Sequence, residues 1–155
     1  MGTVASIHLH SAVSGAPLQS VENACAEAGK GMVGDARFFG RLDREGKPKK
    51  RQVSLIAREQ IAAHAAALGL DAIEPGAVRA NIETTGIDLM QLVGQQVSVG
   101  GATLLFYEPR TPCPKMDAVA EGLQKLMGNG RQGVMAQVIA SGEIRVGDSI
   151  TSKKS

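Results

Sequence analysis

At 155 residues, with 43% hydrophobic and 21% charged residues, the chain has the length and composition of one globular domain, 1–155, able to bury a real core. A net charge of +2 and an aromatic content of 3% argue against nucleic-acid binding, which draws on a basic excess and on exposed rings for base stacking. Two cysteines, Cys25 and Cys113, are too few for a disulfide scaffold, a four-cysteine zinc site or an iron–sulfur cluster.

Free thiols fit a reducing, cytoplasmic setting. No apolar run approaches the ~20 residues that cross a bilayer, so no membrane association is expected. In chain order, Thr3 to Leu9 alternates with Ala5, Ile7 and Leu9 on one side, the pattern of a strand. Ser20 to Ala28 is ambiguous: its alanines and glutamates favour helix, but Val21 and Cys25 make a thin stripe. Gly29, Gly31 and Gly34 mark turns, and the basic run Arg41 to Arg51 reads as an exposed loop. Gln52 to Ala57 is a strand. Ile61, Ala65 and Leu68 then form the stripe of a helix that Gly69 ends. Val97 and Val99, then Leu104 and Phe106, flank Gly100-Gly101 as a hairpin, the glycines supplying positive φ at both turn positions. Asp117 caps a helix carrying Val119, Leu123 and Leu126, which ends near Gly128 to Gly130. Val134 to Ala140 is a strand, Ser141-Gly142 turns into Glu143 to Val146, and a short piece follows Gly147-Asp148. The expectation is a mainly β (α+β) fold: a small β-barrel with two or three peripheral helices.

Few side chains carry chemistry. Cys113 sits in "PRTPCPK" between Pro112 and Pro114, with Arg110 and Lys115 nearby. The prolines stiffen the loop, and the cations favour the thiolate, the form that attacks or ligates. Burial as an inert filler is the competing reading. His8, His10 and His64 are distant in sequence, so a Cys–His nucleophile has no obvious base. His8 and His10 share a strand face and make two ligands of a metal site without a third, while His64 reads as structural or surface. Asp35, two residues before Arg37, either orients a ligand with that arginine or fixes its own turn as an Asx residue. Arg79 offers a bidentate fork for carboxylate or phosphate, and Asn81 a donor and an acceptor. Neither GxxxxGK[ST] nor a GxGxxG after a strand occurs, which disfavours nucleotide hydrolysis and dinucleotide redox chemistry.

The order of these pieces says more than any one of them. "GD" at Gly34, a basic loop, "QVSLI" from Gln52, "RAN" from Arg79 and "GIDL" from Gly86 come first. Gly94, "VGGA" from Val99, "PC" at Pro112, Gly133 and "SGEIRVGD" from Ser141 complete the series. The set resembles the MOSC domain family, named for the C-terminal domain of molybdenum-cofactor sulfurases, over about Thr3 to Ile150, and so looks like a stand-alone MOSC protein. The resemblance implies a MOSC-type barrel and a site for a pterin-based molybdenum cofactor, or sulfur carriage for it. It carries the family's functional cysteine to Cys113, as molybdenum ligand or persulfide carrier. It also carries the polar pair to Arg79 and Asn81, and the early acidic residue to Asp35. Many members have a histidine shortly after that aspartate; here Arg37 stands there. Arg79, Arg110, Lys115 and part of the basic loop would complement the cofactor's anionic tail at a barrel mouth.

Two functions follow from the resemblance. One is a component of a molybdenum-dependent oxidoreductase that reduces N-hydroxylated compounds, with Cys113 as metal ligand and electrons arriving from a separate electron-transfer protein. The other is a sulfur carrier with a Cys113 persulfide, supplied by a partner cysteine desulfurase that itself uses pyridoxal phosphate.

Overall fold

A computed structural model of the chain describes residues 2–111, 116–128 and 131–153. In chain order the first elements are β1 (Gly2–Leu9), β2 (Gln19–Val21), β3 (Asn23–Glu27), β4 (Gly31–Met32), β5 (Val53–Ala57) and α1 (Arg58–Ala67). Then come β6 (Ile82–Thr85), a 3-10 turn at Leu89–Leu92, β7 (Gln96–Val99) and β8 (Ala102–Pro109). The last are α2 (Met116–Val119), α3 (Leu123–Leu126), β9 (Val134–Ala140), β10 (Gly142–Arg145) and β11 (Ser149–Ser152). Seven strands in the order β11-β7-β8-β9-β5-β6-β1 close into a barrel through the β11–β1 pairing, and β2 extends the sheet beyond β1. All neighbours are antiparallel except β5 and β6, which run parallel and are joined through α1. β10, β3 and β4 make a second sheet. Among the described residues, no helix is long and apolar enough to cross a membrane.

The mainly β barrel with short helices is the expected fold, and its core explains the short apolar runs. Val4, Ile7, Val53, Leu55, Ile82, Leu104, Phe106, Val134 and Ala136 fill the barrel and are fully buried. Ile56 points the other way, into a second cluster with Ile61, Val78, Met116, Leu123 and Met127. β5 is therefore buried on both faces, which is why "VSLIA" reads as a continuous apolar run.

Four local expectations change. In β1 a bulge between Val4 and Ser6 shifts the register against β6, so Val4 and Ile7 both reach the core and the strict Ala5–Ile7–Leu9 alternation fails. The ambiguous 20–28 stretch forms strands. Ala24 and Ala26 are buried while Cys25 between them is exposed, a period of two that small residues satisfy against a close neighbour. The helix expected from Asp117 is two short ones, parted where Gly122 takes φ +88, and the Asp117 carboxylate accepts from Gln124 N in the second (3.0 Å). In the β7–β8 hairpin only Gly100 has positive φ (56°), as in a II′ turn. Gly101 instead gives its N–H to Glu143 O (2.8 Å). α1 forms as expected, with Ile61 and Ala65 buried and Gly69 at φ +72 after its last turn.

Candidate functional site

Ser54 on β5 and Met135 on β9 are paired neighbours, and each alternates with residues that fill the barrel. Both therefore face the outer wall. There, rather than at the barrel mouth, lies a cleft of about 130 Å³ lined by His10, Arg37, Phe38, Arg51, Ser54, Arg79, Arg110, Thr111, Met116, Gln132 and Met135. Its floor is buried: His10, Ser54, Met116, Gln132 and Met135 are each 5% exposed or less. Arg37, Arg51, Arg79 and Arg110 form a more accessible rim. A second hollow of about 150 Å³ adjoins it, shares His10, Arg37 and Arg79, and adds Arg41 and the 11–15 loop.

Asp35 organises the floor. It follows Gly34, whose φ of +94 turns the chain inward, and its side chain is fully buried. Oδ1 accepts from Arg37 N (3.0 Å) and Phe38 N (2.9 Å), the Asx-turn arrangement. Oδ2 accepts from His10 N (3.0 Å), His10 Nδ1 (2.8 Å) and Asn81 Nδ2 (2.7 Å). Burial alone would push this carboxyl up. The hydrogen bonds from the His10 ring, His10 N and Phe38 N, with the pull of the His10 charge, outweigh it and hold the pKa at about 2. As an ionised acceptor, Asp35 fixes the His10 proton on Nδ1. Asn81 continues the network: Nδ2 also donates to His8 O (3.0 Å), and Oδ1 accepts from Ser54 N (3.1 Å). One network thus ties β1, β5, the residues before β6 and the 35–38 turn.

The arginines are held by backbone oxygens and rings. Arg79 donates from Nη1 to Ala16 O (3.1 Å) and is the one non-glycine at positive φ (64°) among the described residues, a strain of order 1 kcal/mol. Arg110 donates to Gln132 O (3.3 Å) and Val78 O (3.2 Å). The guanidinium groups of Arg37 and Arg51 lie 5.7 and 5.5 Å from the Phe38 ring centre, and that ring meets His10 edge-on at 5.0 Å. One floor atom is left over. Gln132 Oε1 is buried with no hydrogen-bond partner, a state that costs about 1–3 kcal/mol unless something supplies a donor.

Of the residues singled out from sequence, Asp35, Asn81, Arg79 and Arg110 come together in or beneath this cleft. Cys113 and Lys115 lie outside the described residues; Thr111 and Met116 on either side both line the cleft. Of the two readings of Asp35, the structure makes the Asx turn, through Arg37's backbone N–H, and the side-chain partner is His10, whose role the sequence reading missed. His8 and His10 do not share a site. β1 ends at Leu9, and His8 bonds Ser6 Oγ (2.7 Å) and Ser20 Oγ (3.0 Å), 3.7 Å from Glu83. Burial lowers the His8 pKa against the pull of Glu83, with Arg58 adding to the lowering. Among the described residues no three His, Cys, Asp or Glu side chains are grouped to hold a metal. His64 is buried and reaches Arg131 O (2.8 Å), a structural role. Phe38, Arg51 and Gln132 had no local signal beyond Arg51's place at the end of the basic run.

The chain is thus a closed seven-stranded β-barrel with a cationic, partly apolar cleft on its outer wall. The chain belongs to the MOSC domain family, whose model matches residues 10–151, and that family is associated with molybdenum cofactor binding. The fold is similar to the YuaD protein from Bacillus subtilis, with a TM-score of 0.76 and 21% identity over 99% of this chain and 98% of that one. It is also similar to YiiM from Escherichia coli (TM-score 0.72, 18% identity, 100% of this chain and 71% of that one). YiiM from Geobacillus stearothermophilus gives a TM-score of 0.72 at 14% identity, over 99% and 76%. No curated protein sequence matches the chain significantly.

Proposed function

We propose that this chain binds the pterin-based molybdenum cofactor in the arginine-rimmed cleft, as the component of a molybdenum-dependent reductase acting on N-hydroxylated compounds. The observation that carries this is the convergence of four arginines on a cleft lined by Thr111 and Met116, the residues flanking the Cys113 segment. The donor set fits such a group. Guanidinium forks match a phosphate tail, Met116 and Met135 offer polarizable apolar walls, and Gln132 Oε1 lacks a donor that a pterin would bring. The family match gives no support to pyridoxal phosphate.

Each residue has a stated task in this reading. Arg79 and Arg110, with Arg37 and Arg51, hold the anionic tail. Cys113 ligates the metal as thiolate, favoured by Arg110 and Lys115 close in sequence. Asn81 and Asp35 hold the floor, and Asp35 keeps His10 in the tautomer whose Nε2 can accept or return a proton. When bound, the cofactor supplies the two-electron reduction of the N–O bond. Electrons come from a separate electron-transfer protein, since two cysteines make no iron–sulfur cluster.

The test is to express wild type and Cys113→Ser in cells that make the cofactor and to measure bound molybdenum and pterin. Near-stoichiometric metal in wild type, lost in the variant while Cys25→Ser retains it, is the expected result. A persulfide on Cys113 without metal would replace this reading with sulfur carriage from a cysteine desulfurase. Wild type that holds neither metal nor persulfide would overturn both.

A further inference from the structure

The cleft is graded: a buried floor with apolar walls and one unpartnered amide oxygen, beneath a rim of arginines. A purely anionic ligand such as phosphate would answer the rim and leave Gln132 Oε1 without a donor. Buried polar atoms in folded proteins almost always find a partner. The only other such atom among the described residues, Thr84 Oγ1, lies in β6 and not in this cleft. Gln132 also has a fixed backbone. Its carbonyl accepts from Arg110 Nη1, and the next residue, Gly133, takes φ +87 where a Cβ would collide with Leu55 O and stand 2.8 Å from Ile56 Cα. The side chain is thus presented from a rigid mount beside a rim cation.

We infer that Gln132 reads the N–H edge of a flat heterocycle whose ring enters the floor while its phosphate stays at the rim. The recognised chemistry is the amino-oxo-pyrimidine edge common to pterins and guanine: an amide oxygen takes one of its N–H groups, and Met116 and Met135 take its faces. Two isolated features, the orphan acceptor and the burial gradient, then have one cause. This rests on the reading of the cleft as the cofactor site and adds the ligand's orientation and the residue that selects its ring.

The experiment titrates wild type, Gln132→Leu and Gln132→Glu with 6-hydroxymethylpterin, GMP, AMP and inorganic pyrophosphate. Gln132→Leu is expected to weaken pterin binding about tenfold, the scale of one good hydrogen bond, and to leave pyrophosphate within about twofold. The unchanged pyrophosphate affinity also shows that the variant is folded. Gln132→Glu, which keeps an acceptor, should bind pterin better than Gln132→Leu does. AMP lacks the amino-oxo edge and should bind at least about tenfold more weakly than GMP. Because GMP carries a rim phosphate that 6-hydroxymethylpterin lacks, the ring is assigned by the variant: the ligand whose affinity Gln132→Leu lowers more is the one whose edge Gln132 reads. Gln132→Leu binding both pterin and GMP like wild type, or AMP matching GMP, overturns the inference while the molybdenum measurement stands apart. Wild type that binds pyrophosphate and no heterocycle overturns it in the same way. Wild type that binds none of the four overturns both this inference and the cleft as cofactor site.

Discussion

Asp35 is the residue on which most of the site hangs, and its chemistry sets a pH limit. Its five hydrogen bonds come from N–H groups, so the carboxylate is matched only while ionised. Its pKa falls from an ordinary 3.8 to about 2, so between these values the unfolded chain takes up the proton first. The stability it lends is complete above about pH 4 and is lost as pH falls through about 2, a contribution of about 2 kcal/mol. Asp35→Asn should cost roughly 3 kcal/mol near neutrality, because an amide N–H would face other donors. Denaturant titrations of both proteins at several pH values check this: the difference between them must shrink below about pH 4. The sequence exposed Asp35 and Asn81 as candidates separately. Their partner His10 lies 25 residues from Asp35, and such a distance leaves no periodic trace.

At the scale of elements, the basic run from Arg41 to Arg51 is exposed as expected, yet it is not a slack loop. Leu42 pairs with Pro48 across it, Lys49 N donates to Arg41 O (2.9 Å), and Asp43 Oδ1 accepts from Glu45 N and Lys47 N (2.9 Å each). A short ribbon therefore carries six cations beside the cleft, with Arg51 at one end on the rim. Asp43→Ala should loosen it by about 1 kcal/mol, raising the rate of tryptic cleavage inside 41–51 about fivefold with the melting temperature nearly unchanged. Equal cleavage rates would mean that the ribbon does not depend on this carboxylate. The elements that sequence patterning identified are those with a short apolar run, such as β5, or a clean apolar period, such as α1 and the β7–β8 hairpin. It failed where tertiary contacts override local preference, at the bulge in β1 and at Gly122, and stayed undecided in the alanine-rich β3, whose small Ala24 and Ala26 side chains pack into the core.

Over the whole molecule, charge is unevenly spread. The ribbon holds six of the 17 Lys and Arg and two of the 15 Asp and Glu, so it nets +4 while the rest of the chain nets −2. Such a field gathers anions toward the rim and is screened within about 10 Å at 0.1 M salt. The association rate of pyrophosphate, followed by stopped flow, should therefore fall several-fold between about 0.02 and 0.2 M salt; a flat profile would rule out steering. The barrel has a consequence of a different kind. It closes where Gly2 meets Ile150 and Thr3 meets Ser149, partners at opposite ends of the sequence, through two residue pairs. β1 must wait for β11 to be synthesised before the sheet can close. Such long-range pairing places closure late in folding. Until then β6 occupies one edge of β1 and β2 covers the Ile7–Leu9 half of the other, so only the short Gly2–Thr3 end stays open to wrong partners.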